Sequence, residues 1–189
     1  MRVIAGTARH LKLITPEGED TRPTLDSIRE TLFNILRNDM PGSVFVDLFA
    51  GSGAIGIEAL SRGAEKAYFV EYKSAAVKCL IQNLETTKFS DRSVVMKSEA
   101  VASLSRINET AVDIIYIDPP YNAGLYQPVL AALSGQSYMN PYTLIIVECD
   151  AHEDFSFAED LGYTVTREKK YKHNKHVFLK LAFLEERQV

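Results

Sequence analysis

The sequence predicts an α/β fold in which a mostly parallel sheet is covered by helices on both faces. From residue 44 onward, short apolar runs alternate with amphipathic stretches, which is the pattern of a doubly wound sheet. The first run, residues 44–49, is continuously apolar except for Asp47, as in a strand buried on both sides. The last two predicted strands are joined near residues 173–175, too short a connection for a parallel crossover, so they must form an antiparallel hairpin.

An extension over residues 1–40 is expected to precede a Rossmann-like core over residues 41–189, together forming one domain. Two short strands are predicted at residues 3–5 and 11–14, followed by a helix. Its apolar positions recur at helical spacing and are Leu25, Ile28, Leu32, Ile35 and Leu36. Asp26 lies in the first turn, where the helix dipole favours a carboxylate, and Pro41-Gly42 ends the helix.

Seven strands are expected in the core. Five are predicted at residues 44–49, 67–71, 93–96, 112–117 and 143–148, and two close the chain, the last of them carrying Val177, Leu179 and Leu181 on one face. The intervening helices are predicted at residues 54–62, around 77–84, around 101–104, and at 126–133 and 155–161. We therefore expect a seven-stranded, mostly parallel sheet with a C-terminal antiparallel hairpin strand.

Composition excludes several classes of protein. The 189 residues include 46% hydrophobic and 24% charged side chains, which is ordinary for a globular domain and unlike a disordered chain. No apolar run reaches the roughly 20 residues of a membrane helix, and the N-terminus lacks the apolar core of a signal peptide. With only Cys79 and Cys149, we expect a soluble, cytoplasmic protein whose thiols are reduced and buried. The four histidines show no metal-ligand spacing, so we expect no metal.

A glycine-rich loop follows the first core strand. Residues 51–56 read Gly-Ser-Gly-Ala-Ile-Gly, which fits G-x-G-x-x-G between a strand and a helix, and Glu71 follows about 20 residues later. Such glycines allow a tight turn and a close approach to a ligand, and the acid accepts hydrogen bonds from ribose hydroxyls. NAD, FAD and S-adenosylmethionine all carry a ribose, so the loop alone leaves these cofactors open.

Asp47 favours one of the three cofactors. It stands at the carboxyl end of its strand, four residues before Gly51. A carboxylate facing a pyrophosphate is repulsive, because phosphates are bound by helix N–H dipoles. S-adenosylmethionine has no phosphate but carries an ammonium group and a sulfonium cation, so an acid beside it is attractive.

The tetrapeptide Asp118-Pro119-Pro120-Tyr121 follows an apolar strand at the edge where open α/β sheets bind ligands. Two prolines stiffen the backbone and hold Asp118 extended. The exocyclic amine of a nucleobase is a poor nucleophile, because its lone pair is delocalised into the ring. The Asp118 carboxylate and the Pro119 carbonyl can accept hydrogen bonds from its two N–H groups, which points the lone pair at the methyl donor. Tyr121 offers a flat face on which a base can stack. These four residues are the predicted catalytic set, and they favour methylation of an amine.

On these residues the chain resembles the RsmD family of bacterial 16S rRNA (guanine-N2)-methyltransferases, a family of class I S-adenosylmethionine-dependent enzymes. The resemblance rests on residues 21–26, 29–34, 47–64 and 118–121. It implies a class I methyltransferase fold and a target guanine held by residues 118–121. It also implies a set of cofactor-binding residues: Asp47, Phe49, Ala50, Gly51, Ser52, Gly53, Glu71, Tyr72, Glu99 and Ala100.

The partner implied by the resemblance is 16S rRNA. The acidic balance of the chain favours a partly assembled small ribosomal subunit as the form of that partner, and we expect a monomer. The net charge of −4 requires that RNA use a local face, and the candidates are Arg9, Lys12, Arg22, Lys169, Lys170 and Lys172. Members of the family often have Gly-Arg where this chain has His10-Leu11, which thins the N-terminal basic patch. Arg22 and Arg29 contact RNA or the cofactor in one interpretation, and form ion pairs with nearby acids in the other.

Two other kinds of function fit parts of the pattern. The same fold and pocket would serve methylation of DNA adenine-N6 or cytosine-N4, or of a protein glutamine amide. A different class is a non-catalytic nucleotide-binding or NAD-dependent module, which predicts NAD affinity and no dependence on Asp118.

Overall fold

A computed structural model describes residues 1–16, 26–120 and 123–182, in which seven strands and six helices alternate. The strands are β1 (Val44–Asp47), β2 (Lys66–Glu71), β3 (Ser93–Lys97), β4 (Ile114–Ile117), β5 (Leu144–Asp150), β6 (Tyr163–Lys170) and β7 (Asn174–Leu181). The helices are α1 (Asp26–Ile35), α2 (Ala54–Ser61), α3 (Ser74–Thr87), α4 (Ala100–Leu104), α5 (Tyr126–Ser134) and α6 (Phe157–Asp160). A short 3-10 turn, Ser90–Arg92, precedes β3.

The strands form one sheet in the order β3-β2-β1-β4-β5-β7-β6. Strands β1 to β5 pair in parallel, β7 pairs antiparallel with β5, and β6 pairs antiparallel with β7. This confirms the predicted seven-stranded, mostly parallel sheet with its C-terminal antiparallel hairpin. The strand order reverses between β1 and β4, and open sheets of this kind bind ligands at the carboxyl edge of that reversal.

Each face of the sheet has its own apolar core. On one face, α1, α2 and α3 contribute Phe33, Leu60 and Leu80, which pack against Phe45 and other strand residues. On the other face, α4, α5 and α6 pack against the alternate residues of the same strands, such as Val46. Because helices cover both faces of the sheet, the central strands are apolar at consecutive positions, as expected for a doubly wound sheet.

The N-terminal segment packs on the end of α2 rather than joining the sheet. Arg2 and Lys12 form an isolated antiparallel bridge, so the two predicted N-terminal strands pair with one another. The Glu58 carboxylate accepts hydrogen bonds from the backbone N–H groups of Ile4 (2.8 Å) and Ala5 (3.0 Å). The last turn of α2 therefore anchors the extension to the core.

Several finer predictions differ from the structure. Ile81, which its helical spacing from Val77 and Leu84 predicts on the apolar face of α3, is 45% exposed, because the helix turns only a narrow stripe towards the sheet. Helix α6 is one turn long rather than seven residues, and Cys79 is only half-buried, whereas Cys149 is buried. Among the helices in the described part of the chain, none has the length and apolar character to cross a membrane.

Candidate active site

Three acidic residues line one face of the sheet at its carboxyl edge. Asp47 at the end of β1 pairs in register with Phe69 of β2 and Tyr116 of β4. Glu71 and Asp118 each lie two residues further along those strands, and side chains two apart in a strand share a face. The edge borders a crevice of about 770 Å³, whose lining includes Asp47, Glu71 and Asp118.

The glycine turn forms one wall of this crevice. The Gly53 N–H donates to the Ala50 carbonyl (2.7 Å), and the Ala50 N–H donates to the Val70 carbonyl (2.8 Å) of β2, which fixes the turn between β1 and α2. Gly53 has a φ of +86°, and a Cβ there would lie 2.3 Å from Cδ1 of Leu80. Gly51 has a φ of +53°, and none of the residues that the structure describes, its chain neighbours aside, has an atom within 4 Å of where its Cβ would be. One glycine is required for packing, whereas the other leaves space beside the crevice.

Glu71 is held in place by the backbone. Its Oε2 accepts the Gly51 N–H at 2.9 Å, and its Oε1 accepts the Lys73 N–H at 2.7 Å. Each carboxylate oxygen has a second lone pair for another donor. The arrangement suits the paired hydroxyls of a ribose, which the sequence predicted for this residue.

Asp47 is buried with one oxygen unsatisfied. It is 1% exposed, and its Oδ1 has no hydrogen-bond partner among the described residues. Burial raises the pKa of Asp47 to about 7, opposed by the N–H groups of Phe49 and Gly56 and reinforced by the negative charge of Glu71. A buried carboxylate of this kind is stabilised by a cation, and the ammonium and sulfonium groups of S-adenosylmethionine have the required charge.

Asp118 borders the other end of the same crevice. It is half-buried, and burial together with the charges of Glu148 and Asp47 raises its pKa well above the usual range of an aspartate. Pro119 and Pro120 also line the crevice. Tyr121, the fourth predicted catalytic residue, lies outside the described residues.

The remaining predicted cofactor residues, except Gly53, border the same crevice. Besides the residues described above, its lining includes Phe49, Ala50, Gly51, Ser52, Tyr72, Glu99 and Ala100. Gly53 lies behind this wall, against Leu80. The crevice is also lined by three residues of the N-terminal extension that no sequence pattern indicated, namely Met1, Thr15 and Pro16. Asn83 places them there, because its side chain hydrogen-bonds the backbone of both Ile14 and Ser52.

A buried polar cluster next to Asp118 was not predicted. Glu148 accepts hydrogen bonds from the hydroxyl of Tyr116 (Oε2, 2.5 Å) and the amide of Asn174 (Oε1, 2.6 Å), and its Oε2 lies 3.2 Å from Nε2 of His176. The hydroxyl of Tyr171 lies 3.3 Å from Nδ1 of His176. These residues come from β4, β5, β7 and the β6–β7 connection, so no local sequence pattern joins them.

The predicted RNA-binding residues fall into two separate places. Lys169, Lys170 and Lys172, at the end of β6 and in its connection to β7, lie at the carboxyl edge, since β7 begins beside the end of β5. Arg9 lies near the C-terminus of α2, at the opposite edge, where it lines a second cavity of about 550 Å³. Lys12 lies in the N-terminal extension, where its backbone forms the isolated antiparallel bridge with Arg2.

The sequence left two interpretations open for Arg22 and Arg29. Arg22 lies outside the described residues. Arg29 is buried and donates to Oδ1 of Asp26 at 3.1 Å, as the ion-pair interpretation expected. Within the residues that the structure covers, no group of three or more His, Cys, Asp or Glu side chains is arranged to hold a metal ion.

The sheet order with its reversed β7, and the acidic crevice at the β1–β4 reversal, place the chain among the Rossmann-like methyltransferases. The Escherichia coli protein yhhF, described as a candidate methyltransferase, superposes with a TM-score of 0.83 at 33% identity, covering 96% of this chain and 98% of that one. The Haemophilus influenzae methylase candidate HI0767 superposes with a TM-score of 0.79 at 30% identity, with coverage of 96% and 98%.

The particular family follows from sequence comparison. The chain belongs to the RsmD family, whose model, described as "Conserved hypothetical protein 95", matches residues 1–180. Ribosomal RNA small subunit methyltransferase D of Escherichia coli is 39% identical over 150 residues, which is 79% of this chain and 75% of that protein. The Haemophilus influenzae protein of the same name is 34% identical over 171 residues, which is 89% of this chain and 88% of that protein.

Proposed function

We propose that this protein transfers a methyl group from S-adenosylmethionine to the exocyclic N2 amine of a guanine in 16S ribosomal RNA of the small subunit. The observation that carries the proposal is the crevice itself. At one end it holds Glu71 and a buried Asp47 oxygen that has no hydrogen-bond partner in the described part of the chain, and at the other it holds Asp118. Relatives covering most of the chain are named as methyltransferases of small-subunit ribosomal RNA, which supports the substrate class.

The residues present fit S-adenosylmethionine at the β1–β2 end of the crevice. Asp47 would face the cationic methionine part, Glu71 the ribose, and the Glu99–Ala100 region at the start of α4 the adenine. When bound, the cofactor supplies an electrophilic methyl group whose carbon–sulfur bond breaks as the new carbon–nitrogen bond forms, leaving a neutral thioether. A cofactor with a pyrophosphate would meet the Asp47 carboxylate instead, which weighs against an NAD-dependent module.

Asp118 and Pro119 would hold the acceptor. The Asp118 carboxylate and the Pro119 carbonyl accept hydrogen bonds from the two N–H groups of the amine. These bonds draw the nitrogen lone pair out of conjugation with the ring and direct it across the crevice. Most of the rate enhancement then comes from alignment of the two reactants. Proton acceptance by Asp118 adds an effect that typically amounts to about 10²–10⁴-fold.

Ribosomal RNA would approach over the carboxyl edge of the sheet. A group of basic residues lies on that edge, beyond β5 and close to the acceptor end of the crevice. We call this group the basic turn; it consists of Lys169, Lys170, Lys172 and His173. Guanine N2 is normally stacked and paired, so the target must be presented in a loop or turned outward, at a cost of a few kcal/mol. The acidic balance of the chain favours a partly assembled subunit as substrate, acted on by a monomer with residues 1–189 as one domain.

The test is methyl transfer from labelled S-adenosylmethionine onto 16S rRNA, assembly intermediates of the small subunit, DNA and protein. Nucleoside mass spectrometry of the product should give N2-methylguanosine, at one position in the RNA. Incorporation into DNA adenine or cytosine, or into glutamine, would replace the proposed substrate and keep the reaction class. Incorporation into none of them, with NAD bound in a calorimetric titration, would overturn the proposal.

A further inference from the structure

Glu148 lies beside Asp118 at the carboxyl edge. The register of β4 and β5 pairs Ile117 with Val147, so the next residues, Asp118 and Glu148, are neighbours with side chains on the same face. Neighbouring strands are about 4.8 Å apart, and two carboxylates at that spacing repel strongly in a buried place. A buried acid in this position is costly and requires a compensating arrangement.

The arrangement around Glu148 favours its ionised form. Burial opposes ionisation, but the hydrogen bond and the attraction of His176, with the donors Tyr116 and Asn174, outweigh it and lower the pKa of Glu148. His176 is fully buried, and β5 and β7 pair it directly with Glu148. The negative charge is therefore kept on the residue next to Asp118.

We propose that Glu148, held by Tyr116, Asn174 and His176, is a positioning residue that makes Asp118 the acceptor of the proton released from the target amine. This inference rests on the proposed function. As the carbon–nitrogen bond forms, the methyl carbon–sulfur bond of the donor breaks and leaves a neutral thioether. The amine nitrogen becomes cationic, and its proton passes to the Asp118 carboxylate. The products are the neutral methylated amine and a protonated Asp118, which returns its proton to water when the product leaves.

The charge arrangement supports this direction of proton transfer. The charges of Glu148 and Asp47 add to the effect of burial in raising the pKa of Asp118, so its carboxylate is a stronger base than an exposed aspartate. Tyr116 of β4 also faces Asp118, and its own pKa is raised by burial and by the charges of Glu148 and Asp118, so it remains a hydrogen-bond donor. His176 of β7 faces Glu148 on its other side, with Tyr171 behind it.

The experiment measures the Asp118 carboxyl directly. Protein with ¹³C-labelled aspartate is titrated by NMR without cofactor, and the Asp118 signal is assigned by its loss in Asp118→Asn. Glu148→Gln keeps the shape and removes the charge, and we expect the Asp118 midpoint to fall by about one pH unit. The acidic limb of the pH profile of kcat/KM on rRNA should move down by the same amount, while the Kd for S-adenosylmethionine stays unchanged.

Glu109→Gln is the matched control. Glu109 likewise accepts a tyrosine hydroxyl, that of Tyr68 at 2.7 Å, and also pairs with Lys66, but it lies near the start of β2 at the opposite edge. This variant should leave the Asp118 midpoint unmoved. If Glu148→Gln alone does not fold, Glu148→Gln/His176→Gln replaces the pair by two amides that can hydrogen-bond one another, with the same expected shift.

The outcomes separate this inference from the proposed function. An unmoved midpoint in a folded Glu148 variant, with the wild type active on rRNA, overturns the role of Glu148 and leaves the rRNA activity standing. A lower kcat with an unmoved acidic limb does the same, because it indicates a structural role only. A wild type that methylates no rRNA overturns the proposed function, whereas the NMR midpoint still reports whether Glu148 acts on Asp118.

Discussion

The two ends of the crevice are built by different means. At the cofactor end, Glu71 is fixed by the backbone N–H groups of Gly51 and Lys73, and Asp47 by those of Phe49 and Gly56. At the acceptor end, Glu148 is fixed by side chains that arrive from β4 and β7. One end is encoded by a contiguous stretch of sequence, and the other depends on the assembled sheet. A binding motif can therefore be local in the sequence while the groups that tune the chemistry are not.

A substitution of Asp118 should give the largest loss of activity, and it tests whether the acceptor end can be disabled without loss of cofactor binding. Asp118→Asn should reduce methyl transfer by about 10²–10⁴-fold, because the amide cannot accept the amine's proton. Its affinity for S-adenosylmethionine, measured by calorimetry, should change little, since Asp47 and Glu71 are untouched. Asp113→Asn is the control, because Asp113 stands before the other end of β4, where its Oδ2 accepts the Val44 N–H at 2.7 Å. Equal losses of rate in both variants would show that Asp118 acts through the strand rather than on the substrate.

The same contrast decides how much could be predicted from the sequence. The glycine turn, Asp47 and Glu71 lie within one strand-turn-helix-strand unit, so their spacing predicts their proximity. Asp118 was predicted because two prolines mark the end of its strand. Glu148 and His176 carry no such mark, and their pairing depends on the register between β5 and β7, which the antiparallel prediction did not specify.

Errors in the predicted elements have the same origin. Ile81 has the helical spacing of the apolar face of α3, yet it is 45% exposed, because the sheet decides which stripe of the helix is covered. The extension over residues 1–16 was predicted as strands and turns, but its position against Ser52 and Glu58 depends on side chains far along the chain. Local periodicity predicts an element, whereas tertiary contacts decide where it packs.

The buried Asp47 carboxyl should make the stability of the ligand-free protein depend on pH. The folded pKa of Asp47, about 7, is above its unfolded value near 3.8, so the folded protein binds the extra proton between these values. Stability therefore falls as pH rises through this window, by about 2–3 kcal/mol between pH 5 and pH 8. Asp47→Asn should remove this contribution, which urea unfolding at several pH values measures as a smaller slope than in the wild type.

The negative charge of Asp47, which lowers the stability of the free protein, should strengthen the binding of S-adenosylmethionine. The variant loses the charged partner of the ammonium group, so its Kd for S-adenosylmethionine should rise by about 10–100-fold. 5′-Methylthioadenosine, which lacks the amino-acid part, should bind wild type and variant alike. An equal loss for both ligands would mean that the substitution disturbed the glycine turn instead.

A smaller effect separates packing from ligand access within the glycine turn. Gly53→Ala combines a left-handed backbone with a contact of 2.3 Å to Leu80, and should destabilise the fold by about 2–3 kcal/mol. Gly51→Ala meets no atom of the described residues beyond its chain neighbours within 4 Å, and should cost about 1–2 kcal/mol of backbone strain only. Thermal unfolding of the two variants measures the difference, and a larger loss at Gly51 would contradict the assignment.

The smallest expected effect lies beyond the acceptor end, in the basic turn. The side chain of Lys170 is 67% exposed and lies 3.7 Å from Glu168, so most of its charge is available to a phosphate. Lys170→Ala with Lys172→Ala should weaken RNA binding about three- to tenfold and reduce the salt dependence by about 0.7 per lost contact. The Kd for S-adenosylmethionine should stay the same, because the crevice is unchanged.

Arg9→Ala is the matched control for the basic turn, since Arg9 is also an exposed cation but lies at the far end of α2. If RNA crosses only the carboxyl edge, Arg9→Ala leaves both RNA affinity and its salt dependence unchanged. If it weakens binding as much as the double lysine variant, RNA must extend around the molecule to the N-terminal extension. Filter binding at several salt concentrations distinguishes these cases, because each phosphate contact contributes separately to the slope. The extent of the RNA interface is then read from two slopes, independently of the chemistry in the crevice.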